Sequence, residues 1–382
     1  PSRIFVKDSA ARYLLNNEAH LRELGVARQE EAKGRTVREF YSGQRAEQSI
    51  ADDHSVLSGG PPVINQEKSD YGSQGNSHWW ITTKVPLQDI RGKIIGLVGI
   101  SHDITQRKRT EQELQRRSAE MEADVLMARQ IQQAFIPRTY PVFPAGSRPE
   151  TSALHFAHRY IAATTLGGDF FDLVPISDSR CGLLICDVMG HGVRAGLLTA
   201  LIRGVVEECC IQIGDPGRVL GEINRALMPI VRETGQPIFA TAFYGVIDLS
   251  ASSIRYAIAG HPPPFHVRPG REKAVALALT DPEPAAGLIE GFEYSHRELE
   301  FLPGDVLLAY TDGIVEASNA DGKMFGDERL RALIEEHPGG TPSDWVERIV
   351  GQVTAFTGRN DFEDDICIVA AEFTAKGTSV SP

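Results

Sequence analysis

The alternation of apolar and polar positions changes rhythm twice along the chain. Near residues 77 to 105, "SHWWITTKVPL" and "KIIGLVGISHDIT" place aromatic and β-branched residues on either side of the Gly-containing turn "QDIRG", which predicts a β-hairpin. Upstream, "IFVKD" predicts a strand, "YLLNNEAHLRELG" and "EEAKGRTVREF" short helices, and "SGGPPVINQEKSDYGSQGNS" a turn-rich strand or loop. From Gln106 to Ile136 there is no Gly or Pro, and Leu114, Met121, Ala128 and Phe135 recur every seventh residue. Val125 occupies the intervening apolar position, while polar Ser118 and Gln132 fill its other two turns. This predicts one long helix with a heptad seam, weak at one of its two positions, that pairs with its copy in a parallel dimer; the alternative is a solvated linker helix. Pro137, Pro141 and Pro144 end it. From Leu154 the rhythm changes again, to strands "LHFAHRYIA", "DFFDLVPI" and "CGLLICDV", helices "RAGLLTALIRGVVEECCIQ" and "PGRVLGEINRALMPIVRE", then strands "FATAFYGVIDL", "SIRYAIAG", "DVLLAYTD" and "ICIVAAEF". Consecutive strands with grouped helices predict an α+β arrangement of layered sheets flanked by helices.

These boundaries give a domain over 1–105, a helical linker over 106–136 and a second domain over 137–382 in a chain of 382 residues. Charge separates the same parts. Of 39 basic and 51 acidic residues, 19 and 18 precede Pro137, leaving 20 and 33 after it, so the net charge of −12 lies in the C-terminal part. Such a surface excludes nucleic acid as an expected partner and suits a divalent cation. Five cysteines without a CxxC pair fit a reducing cytoplasm better than a disulfide or zinc framework. No apolar run approaches the roughly 20 residues that span a bilayer, so no membrane association is expected. The chain opens without Met in a predicted strand, which suggests residues upstream of Pro1.

The candidate chemistry lies in four acidic turns, each at the start or stop of an apolar strand: Asp169 in "LGGDFFDLV", Asp187 in "LLICDVMGHG", Asp312 in "VLLAYTDGIVEA", and Asp364 with Asp365 in "DFEDDICIVAA". Strand ends hold ligands rigidly, and Gly permits close backbone approach. If Asp169, Asp187, Asp312 and Asp364 converge, each like-charge pair costs up to about 4 kcal/mol at 4 Å in an effective dielectric near 20. Such a cluster needs cations, and an all-oxygen set without His or Cys suits Mg2+ or Mn2+. Two such ions would supply a hydroxide-like nucleophile and a clamp on a phosphoryl group. The stretch around Asp169 also looks like the turn of a nucleotide cyclase, but that turn carries an acid where Phe170 stands, and it leaves the later acids unexplained.

In this order, "ARQIQQAFIP", "GGDFFD", "DVMGHG", "FATAFYGVID", "AIAGHPPP", "LPGDVLLAYTDGIVEASNADGKMFGDERL" and "DDICIV" resemble the SpoIIE-type, or RsbU-like, branch of the PPM metal-dependent Ser/Thr protein phosphatases, from about Met127 to Phe373. The resemblance implies an αββα sandwich holding two Mn2+ or Mg2+ ions. Carried over, Asp169 and Asp187 become metal ligands, with Asp187 bridging and the carbonyl of Val188 adding an oxygen; Asp312 and Asp364 complete the set. Asp365 is kept among the metal residues, with a supporting role open to it. Asp172, turned by strand periodicity to the face opposite Asp169, is read as structural. His191 is a weaker candidate for a general acid or water-positioning group, and His261 weaker still. Eukaryotic PPM enzymes carry a His two residues after the equivalent of Asp187, where this chain has Met189, and no counterpart of their phosphate-binding Arg is evident.

"IFVKD", "LLNN", "TTKVPL", "GKIIGLVGIS" and the terminal "DIT" resemble a PAS domain from Ile4 to Thr105. Thr105 is expected to cap the emerging helix and Asp103 to pair with Arg107. No Cys precedes Cys181, which excludes a flavin-cysteinyl photoreceptor; His20 is a weak haem candidate, and the ligand is unknown. Together the resemblances imply a cytoplasmic, dimeric phosphatase whose substrate is a phosphorylated anti-anti-sigma protein of the STAS type, in a partner-switching pathway controlling a stress sigma factor. The alternative is a sensor scaffold that binds a partner with little activity.

Overall fold

The chain divides between Met121 and Glu122, inside the linker helix, into two units of 1–121 and 122–382. The computed structural model describes residues 2–71, 77–190, 192–270, 273–337, 339–359 and 361–374.

In the first unit, β1 (Arg3–Asp8) and β2 (Tyr13–Asn16) lead to α1 (Glu18–Leu24), α2 (Gln29–Ala32), a 3-10 turn at Val37–Glu39 and α3 (Gly43–Leu57), followed by β3 (Val63–Tyr71), β4 (Ser77–Gln88) and β5 (Ile94–Asp103). The strands form one antiparallel sheet in the order β2-β1-β5-β4-β3. Phe5, Tyr13, Leu24, Val37, Val56 and Leu97 form the core beneath the helices. The first predicted helix starts late. Tyr13 to Asn16 pair with β1, and Asn17 then caps α1 by accepting the His20 amide at 3.0 Å. The second is broken by Gly34, whose φ of 80° leaves the helical region.

Helix α3 is absent from the sequence reading because its inward face carries Asp53 in place of an apolar residue. Asp53 is buried with Lys7 and Lys84, accepting from Lys84 at 2.6 Å and from Lys7 in a short contact. Burial, opposed by Asp53, lowers Lys7 to about 8. A neighbouring cavity of about 110 Å3, walled by Arg3, His20, Tyr41, Trp80, Thr82 and Lys84 among others, is polar and small. It is well below the roughly 300 Å3 at which pockets for drug-sized ligands begin.

Beyond β5 the chain enters α4 (Thr105–Phe135), one continuous helix of 31 residues as the Gly- and Pro-free stretch predicts. The cap differs from the expected one. Asp103 accepts the Thr105 amide at 2.8 Å instead of pairing with Arg107, and the Thr105 hydroxyl accepts from the Trp79 amide at 2.9 Å. Leu114 and Met121 of the heptad seam are exposed.

In the second unit, β6 (Leu154–Ile161), β7 (Asp169–Ser177) and β8 (Arg180–Val188) precede α5 (Val193–Ile213) and α6 (Pro216–Thr234). Next come β9 (Ala240–Asp248), β10 (Ser253–Ala259), β11 (Phe265–Val267), β12 (Val275–Ala276), β13 (Arg297–Glu300) and β14 (Val306–Tyr310), then α7 (Gly313–Glu316), α8 (Gly326–Glu336), α9 (Pro342–Thr357) and β15 (Ile366–Phe373). Two antiparallel sheets result, β13-β10-β9-β8-β7 and β12-β11-β14-β15-β6. Phe171, Leu183, Phe243, Leu307 and Val369 fill the space between them. Leu184, Tyr244, Ile202 and Leu220 seal the first sheet against α5 and α6, while Leu308, Ile368, Trp345 and Ile349 seal the second against α9. The layers are therefore helix, sheet, sheet, helix. All five cysteines are free; Cys181, Cys186, Cys210 and Cys367 are buried, and Cys209 on α5 is partly exposed.

Candidate metal centre

Strand β7 begins at Asp169, and its alternation sorts the following side chains. Phe171 and Leu173 point between the sheets, while Phe170 and Val174 pack toward α5. Asp172 lies on the α5 side, the face opposite Asp169 as the alternation predicts, and approaches Arg203 of that helix at 3.4 Å. Asp169 pairs in register with Asp187, the penultimate residue of β8, which makes the two carboxylates cross-strand neighbours. The opposite sheet contributes Asp312, after β14, and Asp364 with Asp365, before β15, and β14 and β15 are themselves adjacent.

Electrostatics tie these acids together. Burial, and then the charge of Asp187, hold Asp169 well above the ordinary carboxylate range. Burial, followed by Asp312 and Asp364, pushes Asp187 up to about 7. Asp312 is raised by burial, Glu316 and Asp364. The leading influences on all three are desolvation and the charge of neighbouring carboxylates, and among the described residues none forms an ion pair with Lys or Arg. Among the described residues, no three of these groups close into one compact ligand cluster; they couple pairwise. An uncompensated, all-oxygen donor set of this kind fits hard divalent cations.

Asp365 has a different environment. Its Oδ1 accepts the Ala163 amide at 2.8 Å, and its Oδ2 accepts the Gly168 amide at 2.7 Å and the Asp169 amide at 3.4 Å. The carboxylate thus organises the loop that delivers Asp169. That loop needs its glycines: a Cβ on Gly167 would lie 2.0 Å from Asp365 Oδ2, and one on Gly168 would lie 2.3 Å from the carbonyl oxygen of Val188. Val188 places its side chain in the core under α5. Asp364 is exposed and accepts only the Asp365 amide, at 2.8 Å, among the described contacts.

His261 is buried and bonded at 2.8 Å to Thr241, the residue paired with Asp187 across β8 and β9. Burial lowers it to about 3, which keeps it neutral and unsuited to donate a proton near pH 7. His191 lies outside the described residues. Two contributors escaped the sequence reading. Thr311 donates to Asp169 at 2.6 Å and accepts the Cys367 amide at 3.0 Å; its signal was its place beside Asp312 in "TDG". Gln132, read as a flaw in the heptad, exchanges hydrogen bonds with the backbone of Gly167.

Residues 177–374 match the family of Stage II sporulation protein E, SpoIIE. The chain belongs to the SpoIIE family. Residues 1–109 match the PAS fold. The chain is 27% identical over 214 residues to phosphoserine phosphatase RsbP of Bacillus subtilis, covering 56% of this chain and 51% of that one. It is 24% identical over 201 residues to phosphoserine phosphatase RsbU of the same organism, covering 53% and 58%. The chain thus spans little more than half the length of either. The SiaA-PP2C domain of Pseudomonas aeruginosa superposes with a TM-score of 0.57 at 22% identity, over 67% of this chain and 98% of that domain. The RsbU and RsbW domains of Rv1364c from Mycobacterium tuberculosis give 0.51 at 23%, over 65% and 64%. These likenesses establish the PP2C-type fold of the second unit. Among the described residues no helix is long and apolar enough to cross a membrane.

Proposed function

We propose that this SpoIIE-family chain is a metal-dependent phosphatase acting on phosphoserine or phosphothreonine of a protein, with a PAS domain that regulates it. The observation that carries the reading is the pairing of Asp169 with Asp187 on one sheet opposite Asp312 and Asp364 on the other, where burial and the charges of Asp187, Asp312 and Asp364 raise their neighbours' affinity for protons and by the same physics for cations. Asp169, Asp187, Asp312, Asp364 and the carbonyl of Val188 would hold two Mn2+ or Mg2+ ions. Such ions polarise water and neutralise phosphoryl oxygens. The chain's own part is positional. Thr311 fixes one oxygen of Asp169, Asp365 and Gly168 fix its backbone, and the buried Phe171 and Leu173 anchor its strand.

The substrate class follows from the relatives. RsbP and RsbU are phosphoserine phosphatases, and the proposed target is a phosphorylated anti-anti-sigma protein of the STAS type within a partner-switching stress response. The proposed assembly is a cytoplasmic homodimer in which the PAS domain acts on the centre through α4, and the exposed Leu114 and Met121 support the pairing along that helix. The test is Mn2+-dependent phosphate release from a phosphoserine STAS-type protein, with Asp187→Asn alongside. Release that the substitution abolishes is expected; release that ignores the metal or survives Asp187→Asn overturns the reading.

A further inference from the structure

Tyr160, the penultimate residue of β6, pairs with Cys367 at the start of β15. Its ring packs against the core between the two sheets, at the end where Asp169 and Asp365 lie. A methyl group on Gly167 would collide with both the Tyr160 hydroxyl and Oδ2 of Asp365, so the two oxygens face one narrow space beside the loop that carries Asp169. The hydroxyl is fully enclosed, and among the described residues no group hydrogen-bonds it.

The surrounding polar groups are all engaged. Thr311, bonded to Cys367 from the other side of β15, directs its hydroxyl to Asp169 at 2.6 Å. Asp365 Oδ2 accepts the amides of Gly168 and Asp169. Tyr140, packed on the same core, bonds its hydroxyl to His158 at 2.7 Å. Burial, then the charges of Asp365 and Asp169, hold the Tyr160 phenol above its ordinary range, so it keeps its proton and is available as a donor. A buried hydroxyl left without a partner costs about 1–3 kcal/mol, and such a group in a native fold points to what it faces. Here it faces the acids that would hold cations.

We infer that Tyr160 is a positioning residue of the cation-loaded centre, its hydroxyl donating to an oxygen that takes its place there only when the ions are bound. The inference rests on the proposed metal centre and adds to it a residue outside its carboxylates. The unmade hydrogen bond then belongs to the metal-free state alone. Removing the hydroxyl therefore has two effects of opposite sign: it relieves the metal-free fold of an unpaired donor, and it takes a hydrogen bond from the loaded one. A hydroxyl with a purely structural role would weaken both states alike and leave cation affinity unchanged.

The experiment is Mn2+ titration calorimetry on the full chain, comparing wild type with Tyr160→Phe, which keeps the ring and removes only the hydroxyl. Thermal unfolding without metal, and hydrolysis of p-nitrophenyl phosphate across Mn2+ concentrations, accompany it. Tyr160→Phe is expected to weaken Mn2+ binding about fivefold, equivalent to the roughly 1 kcal/mol of one net hydrogen bond. The Mn2+ requirement for hydrolysis should rise by the same factor, while the metal-free Tm stays at or above wild type. Tyr140→Phe, run alongside, gives the pattern of a partnered hydroxyl: a lower metal-free Tm with wild-type Mn2+ affinity. Tyr160→Phe matching that pattern overturns the inference, as does unchanged affinity alone or a metal-free Tm below wild type alone. Wild type that binds Mn2+ but hydrolyses no phosphoester overturns the phosphatase reading and leaves this one to the calorimetry; wild type that binds no Mn2+ overturns both.

Discussion

Asp364 and Asp365 are adjacent and chemically identical, yet their environments predict opposite consequences of the same change. Asp365→Asn keeps the shape but replaces one accepting oxygen with an NH2 group. The remaining oxygen can still serve Gly168 and Asp169, which leaves the Ala163 amide facing a donor. The Ala163 amide is part-buried, so leaving it unsatisfied costs about 1 kcal/mol, the low end for such groups, partly offset because the substitution also removes a negative charge beside Asp169 and Asp364. For a unit of this size each kcal/mol corresponds to roughly 2–4 °C in Tm, so a fall of about 2 °C is expected without metal. Asp364→Asn should behave otherwise. The side chain is exposed, its contact to the Asp365 amide survives in Asn, and the lost charge relieves Asp187 and Asp312, so Tm holds or rises. Added Mn2+ reverses the ranking. A ligand at a hundredfold its Kd stabilises by about 2.7 kcal/mol, a gain that Asp365→Asn should retain in good part and Asp364→Asn should lose. Calorimetric scans of both variants with and without Mn2+ decide the matter. Asp365→Asn melting with wild type in the absence of metal, or Asp364→Asn keeping the full Mn2+ shift, would refute the division of labour.

Two further predictions concern charges away from the metal acids. His261 stays neutral in the folded chain down to about 3, whereas in the unfolded chain it takes up a proton near 6.5, so its contribution to stability is present above pH 6.5 and is lost as pH falls toward 3. His261→Gln should therefore lose less stability than wild type over that interval in urea titrations, and parallel curves would rule the effect out. In the first unit, Asp53→Asn leaves the buried ammonium groups of Lys7 and Lys84 facing a neutral amide, at a cost of about 3–5 kcal/mol near pH 7. Because Asp53 is what raises Lys7 toward 8, its removal lowers Lys7 further, so the deficit should shrink as pH rises toward 8 and level off above it, and a deficit independent of pH below 8 would contradict the account.

The elements with clean periodicity were legible in advance. The β4–β5 hairpin, α4, α5, α6 and the strands ending in acids fall where alternation and turn residues place them. Helix α3 was hidden because Asp53, a buried charge compensated by two lysines far along the sequence, occupies a core position. The acids Asp169, Asp187, Asp312 and Asp364 stood out because a carboxylate at a strand end is chemically conspicuous. The groups that hold them were not. Thr311 and Gln132 act through contacts spanning 142 and 35 residues, and nothing local distinguishes a hydroxyl or amide destined for such a partner. Asp365 shows the same limit from the other side, since sequence cannot tell which of two neighbouring carboxylates faces backbone amides.

The burial of the cysteines gives the molecule an unplanned reporter. Burial raises all five thiols above the ordinary thiol range, but four are enclosed while Cys209 is partly open to solvent on α5. An alkylating dye added to the native protein therefore modifies one position on the helix that also carries Arg203, without any engineered substitution. Fluorescence from that position follows α5 against the strand it covers, and slower uptake of further dye equivalents times the opening of the layers around the remaining four.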